Sequence, residues 1–174
     1  DNRDEIRPWA YRYRDWVIQA FNQDMPWDQF ITWQLAGDEL IEPPLKNFTN
    51  AEIEKLSATG FLRMAMDGTS RGNNEENRNA VVRDTIEIVS SSLLGMSVKC
   101  AQCHDHLYDP ISHEDYFRLR AVFEPALDTK NWRVPNARKV SLYTDADHAK
   151  AAETEKRAKA KIDERNLKQA EYMK

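Results

Sequence analysis

The chain has 174 residues, of which 41% are apolar and 31% charged, and its net charge is −4. No apolar run approaches the roughly 20 residues a membrane-spanning helix needs, and a net negative chain lacks the basic face that nucleic acid selects. A globular protein with an ordinary core is expected. The chain opens at Asp1 and ends at Lys174 in a charged stretch, so it reads as a piece of something longer.

Pro8 suits a first helical turn, and behind it Trp9, Tyr13, Trp16, Val17, Ala20 and Phe21 recur at helical spacing. Arg3, Arg7, Arg12 and Arg14 are interleaved with these aromatics. They read either as the wet face of that helix or as contacts to an anionic group. Asp24 is placed to cap a second helix with Pro26 in its first turn, carrying the stripe Trp27, Phe30, Ile31, Gln34 and Leu35 and weakening at Gly37. Pro43-Pro44 then breaks the chain.

Thr49 or Asn50 begins a short helix running through Ile53 and Leu56 to Gly60, and Phe61 to Asn74 reads as a loop containing Asp67-Gly68 and Arg71-Gly72. A further helix carries Val81, Val82, Thr85, Ile86, Val89 and Leu93 on one face, with Gly95 as its terminating residue. Ser112 caps the next helix, Ile111 and Tyr116 are spaced as a hydrophobic staple, and Phe117, Leu119, Val122 and Phe123 are its apolar positions. Lys139 to Tyr143 reads as a short extended piece. From Asp145 the composition turns to Ala, Lys and Glu, with Ala152, Lys159, Ile162 and Ala170 giving a poor heptad. Strand-like alternation is nearly absent, so the fold class is all-α: a compact domain over 1–144 and a charged helical spacer or coiled-coil start over 145–174.

The chain has only two cysteines, in the run Cys100-Ala101-Gln102-Cys103-His104. A disulfide between them would close too small a loop to constrain the unfolded chain much. Covalent haem attachment adds two thiols across the two porphyrin vinyl groups, and two intervening residues let both thiols reach from one helical turn. The following His104 is then placed as proximal iron ligand, which is why this spacing reads as a c-type haem site. Other readings stand beside it. A thioredoxin-like dithiol wants a preceding strand and a βαβ setting. Zinc could recruit Cys100, Cys103 and two of His104, His106 and His113, though the spacing is cramped. An iron–sulfur cluster needs more thiolates than the chain has. Buried, inert cysteines remain the structural reading.

If haem is bound, Met64 or Met66 could supply a distal thioether, or each could be core filler. Met96 lies too close before the motif to cross to the other face. Arg63 and Arg14 could pair with propionates or form ordinary surface salt bridges. His106 is placed to hydrogen-bond a propionate or nearby backbone, while His113 reads as solvent-facing and His148 as a poor ligand. Asp84, Asp105 and Asp109 read as support for the His104 ring, as a calcium site, or as caps and turns.

The run from Gly95 through Cys100-Ala101-Gln102-Cys103-His104-Asp105-His106 to Asp109-Pro110-Ile111 and Asp115-Tyr116-Phe117 resembles the planctomycete cytochrome C domain family. Further matching stretches are Tyr13 to Ile18, Ala20 to Asn22, Gln34 to Leu40 and Ala58 to Met64. The likeness spans residues 3–130. It implies export to the periplasm or cell surface, haem attachment there and a role in redox chemistry, within a very large protein whose neighbouring domains include a further cytochrome-like one. It names no substrate, although some members are discussed beside polysaccharide breakdown. Family members carry a His- and Trp-containing helix ahead of the position of Asp1, and a further domain beyond the spacer that starts at Asp145.

Three functions are compatible with these readings. The first is a mono-haem electron-transfer domain working with a redox partner protein or a neighbouring domain of the same polypeptide. The second is a haem enzyme with an open distal site, acting on a small oxidant or a sugar-derived substrate. The third is a zinc-stabilised interaction module, with helical association through 145–174.

Overall fold

The computed structural model describes residues 7–70 and 72–173; Arg3 and Arg71 lie outside the described residues. Among the described residues six α-helices run in chain order: α1 Tyr11–Asn22, α2 Trp27–Ala36, α3 Asn50–Ala58, α4 Glu75–Val89, α5 His113–Leu127 and α6 Asp145–Tyr172. No strand occurs among the described residues, so the fold is all-α as its helical periodicity predicts. Lys139 has extended dihedrals but no partner strand.

The chain divides into two compact units. The first comprises the residues up to Leu40 together with Glu54–Lys139. Its main core joins Val81, Val82, Ile86 and Val89 of α4 to Tyr116 and Phe123 of α5, with Phe61, Val98, Ala101, Ile111 and Trp132 filling between. Val82 and Ile86 are fully buried, each contributing about 1.5–3 kcal/mol by leaving water. A second cluster stacks Trp16 and Ala20 of α1 on Phe30 of α2 and Ala58 of α3.

Helix ends follow their caps, with one correction. Asp24 does not cap α2. It adopts a left-handed conformation at φ 52°, and the Met25 N–H reaches back to the Ala20 carbonyl at 2.9 Å. Asp24 is therefore the terminating residue of α1 in a Schellman turn, and α2 begins behind Pro26 without a side-chain cap. Asn74 caps α4, accepting from the Asn77 N–H. α4 runs on into a π-helical turn, Ser90–Leu94, and ends at Gly95 with φ 65°, where glycine is free of Cβ strain. Ser112 and Asp115 form a reciprocal capping box on α5. The stretch after α3 is not plain loop: it holds two 3₁₀ turns, Thr59–Arg63 and Gly68–Ser70.

The second unit comprises Ile41–Ile53 and Val140–Lys174. Thr144 and Asp147 form a capping box at the start of α6. Asn47 clasps the same end, donating to Asp145 Oδ2 at 2.8 Å and accepting from the Asp145 N–H at 2.7 Å. α6 has no buried residue along its 28 positions, as its charged composition leads one to expect.

Candidate functional site

The cysteine motif starts on a 3₁₀ turn, Val98–Gln102, between the end of α4 and the start of α5, with Cys103 as the capping residue and His104 just beyond. A 3₁₀ turn repeats every three residues, so positions i and i+3 share a face. Val98 and Ala101 are buried in the main core. That burial turns Cys100 and Cys103, also three apart, to the outside, where both are free and exposed. Lys99 braces the turn against α4 by reaching Glu87, with Asp84 at 3.9 Å. Asp84 is thereby engaged with Lys99, and with Arg83 at 3.4 Å, instead of with His104.

The His104 ring is held by the carbonyl of Asp105, 2.6 Å from Nδ1. A carbonyl only accepts, so Nδ1 carries a proton, and the nitrogen left to bind a metal is Nε2. Iron- and zinc-binding histidines are oriented by this same second contact. Of the roles expected for Asp105, support of the His104 ring is met by its backbone. Its carboxylate accepts the His113 N–H at 2.7 Å and so caps α5.

His106 is tied into the loop on both nitrogens. Nδ1 accepts the N–H groups of Tyr108 at 3.2 Å and Asp109 at 2.8 Å. Nε2 therefore carries the proton and lies 3.0 Å from Ser97 Oγ. Asp109 Oδ2 is 3.5 Å from Nδ1, but an Nδ1 that accepts two N–H bonds carries no charge to pair with it. The side chain is only 6% exposed. His106 is thus a backbone-organising residue, one of the two roles its position suggests. His113 departs from expectation: it is half-buried, lies 3.0 Å through Nδ1 from the Ala101 carbonyl, and meets Phe117 edge-on.

The loop that His106 shapes leaves Leu107 76% and Tyr108 87% exposed. Beside the turn, an open recess of about 270 Å³ is lined by Leu94, Met96, Val98, Pro110, Ile111 and Leu119, with the Asp115 carboxylate as its one charged group. Nothing in the sequence pattern pointed to this apolar surface, because Leu107 and Tyr108 fall between elements where periodicity says nothing.

The other candidates lie on other elements. Arg14 pairs with Asp15 at 2.7 Å on the surface. Arg63 pairs with Asp67 at 3.2 Å, and its carbonyl accepts from Arg7. Met64 and Met66 are exposed and follow the Thr59–Arg63 turn, which is packed on α1, α2 and α4. The cysteine turn is packed on α4 and α5. His148 meets Tyr143 edge-on in the second unit. Among the described residues, no three His, Cys, Asp or Glu side chains converge to hold a metal ion. The zinc and calcium sets drawn from the sequence are therefore not assembled. In kind, the donors present fit a porphyrin: two exposed thiols and one histidine whose Nε2 is left to bind.

Fold and site together define an all-helical module that displays a Cys-X-X-Cys-His turn at its surface. The chain belongs to the PSCyt2 family, described as "Protein of unknown function (DUF1549)", whose model matches residues 1–128. The family label is cytochrome-related, in line with the resemblance read from the motif. No curated protein and no solved structure matches the chain. No helix among the described residues is long and apolar enough to cross a membrane.

Proposed function

We propose that this chain is a mono-haem c-type cytochrome module that passes electrons within a larger exported protein. Cys100 and Cys103 would each add S–H across a porphyrin vinyl group, forming two thioether bonds without an external oxidant, and His104 would bind the iron through Nε2. The observation that carries this reading is the His104 Nδ1 contact to the Asp105 carbonyl at 2.6 Å, which leaves a ligand nitrogen free beside two exposed thiols. When bound, haem supplies one-electron chemistry through its iron.

The chain's own residues do the rest. The buried pair Val98 and Ala101 keeps both thiols outward, and His106 shapes the loop that carries Leu107 and Tyr108. The recess bordered by Met96 and Ile111 would offer the porphyrin a mostly apolar flank, with Asp115 at its edge. Thioether formation on an exported polypeptide accords with the family resemblance, and the redox partner would then be a neighbouring domain or a separate protein outside the cytoplasm.

The test is expression with a c-type haem maturation system, followed by a haem stain of the denatured protein and a visible spectrum. Stable haem in the wild type and none in the Cys100→Ala/Cys103→Ala variant is the expected result. A wild-type protein without a Soret band, or haem that survives denaturation in the double variant, overturns the reading. Carbon monoxide added to the reduced protein then separates a carrier with a held sixth ligand from an enzyme with an open distal site.

A further inference from the structure

α4 and α5 run antiparallel past one another. Near the start of α4, Arg78 donates to the Thr129 carbonyl just beyond α5 at 2.9 Å, and Asn79 Oδ1 accepts from Arg120 at 2.5 Å. At the other end Glu87 of α4 holds Lys99, and His113 of α5 lies 3.0 Å from the Ala101 carbonyl, so the cysteine turn closes that end. Residues four apart share a helix face. Arg83 on α4 and Tyr116 on α5 are therefore one turn nearer the cysteines than the Asn79–Arg120 contact. Burial pushes the Tyr116 phenol up, and the charges of Arg120 and Arg83 both oppose it, so the two guanidiniums flank the same hydroxyl.

Other cations at this end are already engaged: Lys99 by Glu87, and Arg118 by Glu114 at 2.8 Å and Asp115 at 3.1 Å. Arg83 meets Asp84 through Nε at 3.4 Å, and its two terminal nitrogens have no hydrogen-bond partner among the described residues. Arg120 has Asn79 and, at 3.7 Å, Glu124. The two side chains are 37% and 19% exposed, so both can be reached from solvent. A guanidinium with unused N–H groups is suited to take a carboxylate through two parallel bonds. The spacing agrees. Propionates leave the porphyrin edge opposite the vinyl groups, so their partners stand a porphyrin's width from the thiols. Arg120 is about 10 Å along α5 from His113, with Arg83 one turn nearer. Arg14 and Arg63, by contrast, are paired with Asp15 and Asp67.

We infer that Arg83, with Arg120 beside it, binds a haem propionate. The inference rests on the haem reading and assigns, within it, the residues that hold the carboxylate edge of the porphyrin.

The test titrates the whole chain with ferrous mesohaem and with its dimethyl ester, read at the Soret band. Mesohaem has ethyl groups in place of the vinyls, so no thioether forms and affinity is measured at equilibrium. The ester lacks the carboxylates. Wild type should bind the free acid more tightly than the ester. Arg83→Gln should lose about five-fold in affinity for the acid, the effect of one partly exposed charge pair, and nothing for the ester. Arg120→Gln should show a smaller loss of the same kind, and Arg83→Lys, which keeps the charge, should retain the preference for the acid. Equal losses for acid and ester in Arg83→Gln, a preference lost in Arg14→Gln or Arg63→Gln instead, or no preference in wild type overturns the inference. Covalent haem after maturation judges the underlying reading separately. Haem attached to a wild type that shows no acid preference sinks this inference alone, and a wild type that attaches no haem sinks both.

Discussion

His113 Nδ1 lies 3.0 Å from the carbonyl of Ala101, a residue between the two cysteines, so the first turn of α5 is fastened to the turn that carries the thiols. The Asp105 carboxylate closes the same junction by accepting the His113 N–H. His113→Ala should therefore lower stability by about 1 kcal/mol through the lost side-chain bond, a fall of about 2–4 °C in melting temperature. Its yield of covalent haem under maturation should fall as well. A variant with full yield and an unchanged melt would show that this fastening is dispensable.

His106 organises the loop with both ring nitrogens. His106→Ala leaves the Tyr108 and Asp109 N–H groups without their acceptor; both lie at the surface and turn to water, so the loss is about 0.5–1.5 kcal/mol. Faster hydrogen exchange at those two amides is the specific readout, and a rate equal to wild type would remove His106 from the loop's architecture.

Asp67 is the hub of a polar cluster. It accepts from the Thr69 N–H at 3.0 Å and from the Thr69 hydroxyl, and pairs with Arg63 and Arg138 at 3.2 and 3.3 Å. Trp132 Nε1 donates to Thr69 Oγ at 2.9 Å, and the Arg138 guanidinium lies 4.3 Å from the Trp132 ring centre. Burial alone pushes the Asp67 carboxyl up, but the Thr69 bonds and the two guanidiniums outweigh it and hold it below the ordinary value for an aspartate. A carboxyl whose folded value is depressed stabilises the fold above the unfolded value and loses that contribution as pH falls through the folded one. Asp67→Asn should thus be less stable than wild type at pH 7 by about 1–3 kcal/mol. In urea melts the gap should close as pH drops below about 4.

Tyr116 is fully buried, and among the described residues no group meets its hydroxyl at full hydrogen-bond geometry, the Arg120 guanidinium being the polar group beside it. Burial pushes the phenol up, opposed by the nearby Arg120 charge. Removing an unpaired buried hydroxyl while keeping the ring should be neutral or stabilising, so Tyr116→Phe is expected within about 1 kcal/mol of wild type. A much larger loss would mean that the hydroxyl has a partner in solution.

Gly37 follows α2 with ordinary dihedrals, so its requirement is space. A Cβ built there would lie 2.4 Å from the Lys55 carbonyl oxygen and 2.5 Å from that of Trp33. Gly37→Ala should therefore destabilise by about 1–3 kcal/mol, as overpacking does. At Gly95, where the built Cβ meets nothing and φ is 65°, alanine should cost only about 1 kcal/mol of backbone strain. Equal melting temperatures for the two variants would contradict this division.

Local chemistry was legible in the sequence wherever it acts over a few residues. The apolar stripe on α4, the Ser112 cap, the Gly95 stop, the charged α6 and the Cys100–His104 spacing all follow from period and side-chain type. Asp24 was misread because Asp can cap a helix or end one, and only the bond from Met25 to the Ala20 carbonyl separates the two. The sequence by itself thus determined the fold class and the donor atoms of the candidate site. Tertiary structure decided which way those donors face: Val98 and Ala101 are buried in the main core, and Cys100 and Cys103, on a different face, are left exposed. It also decided the histidines. Their roles depend on which carbonyl or N–H each ring meets, and those contacts are set by how chain segments converge, which no spacing along the chain encodes.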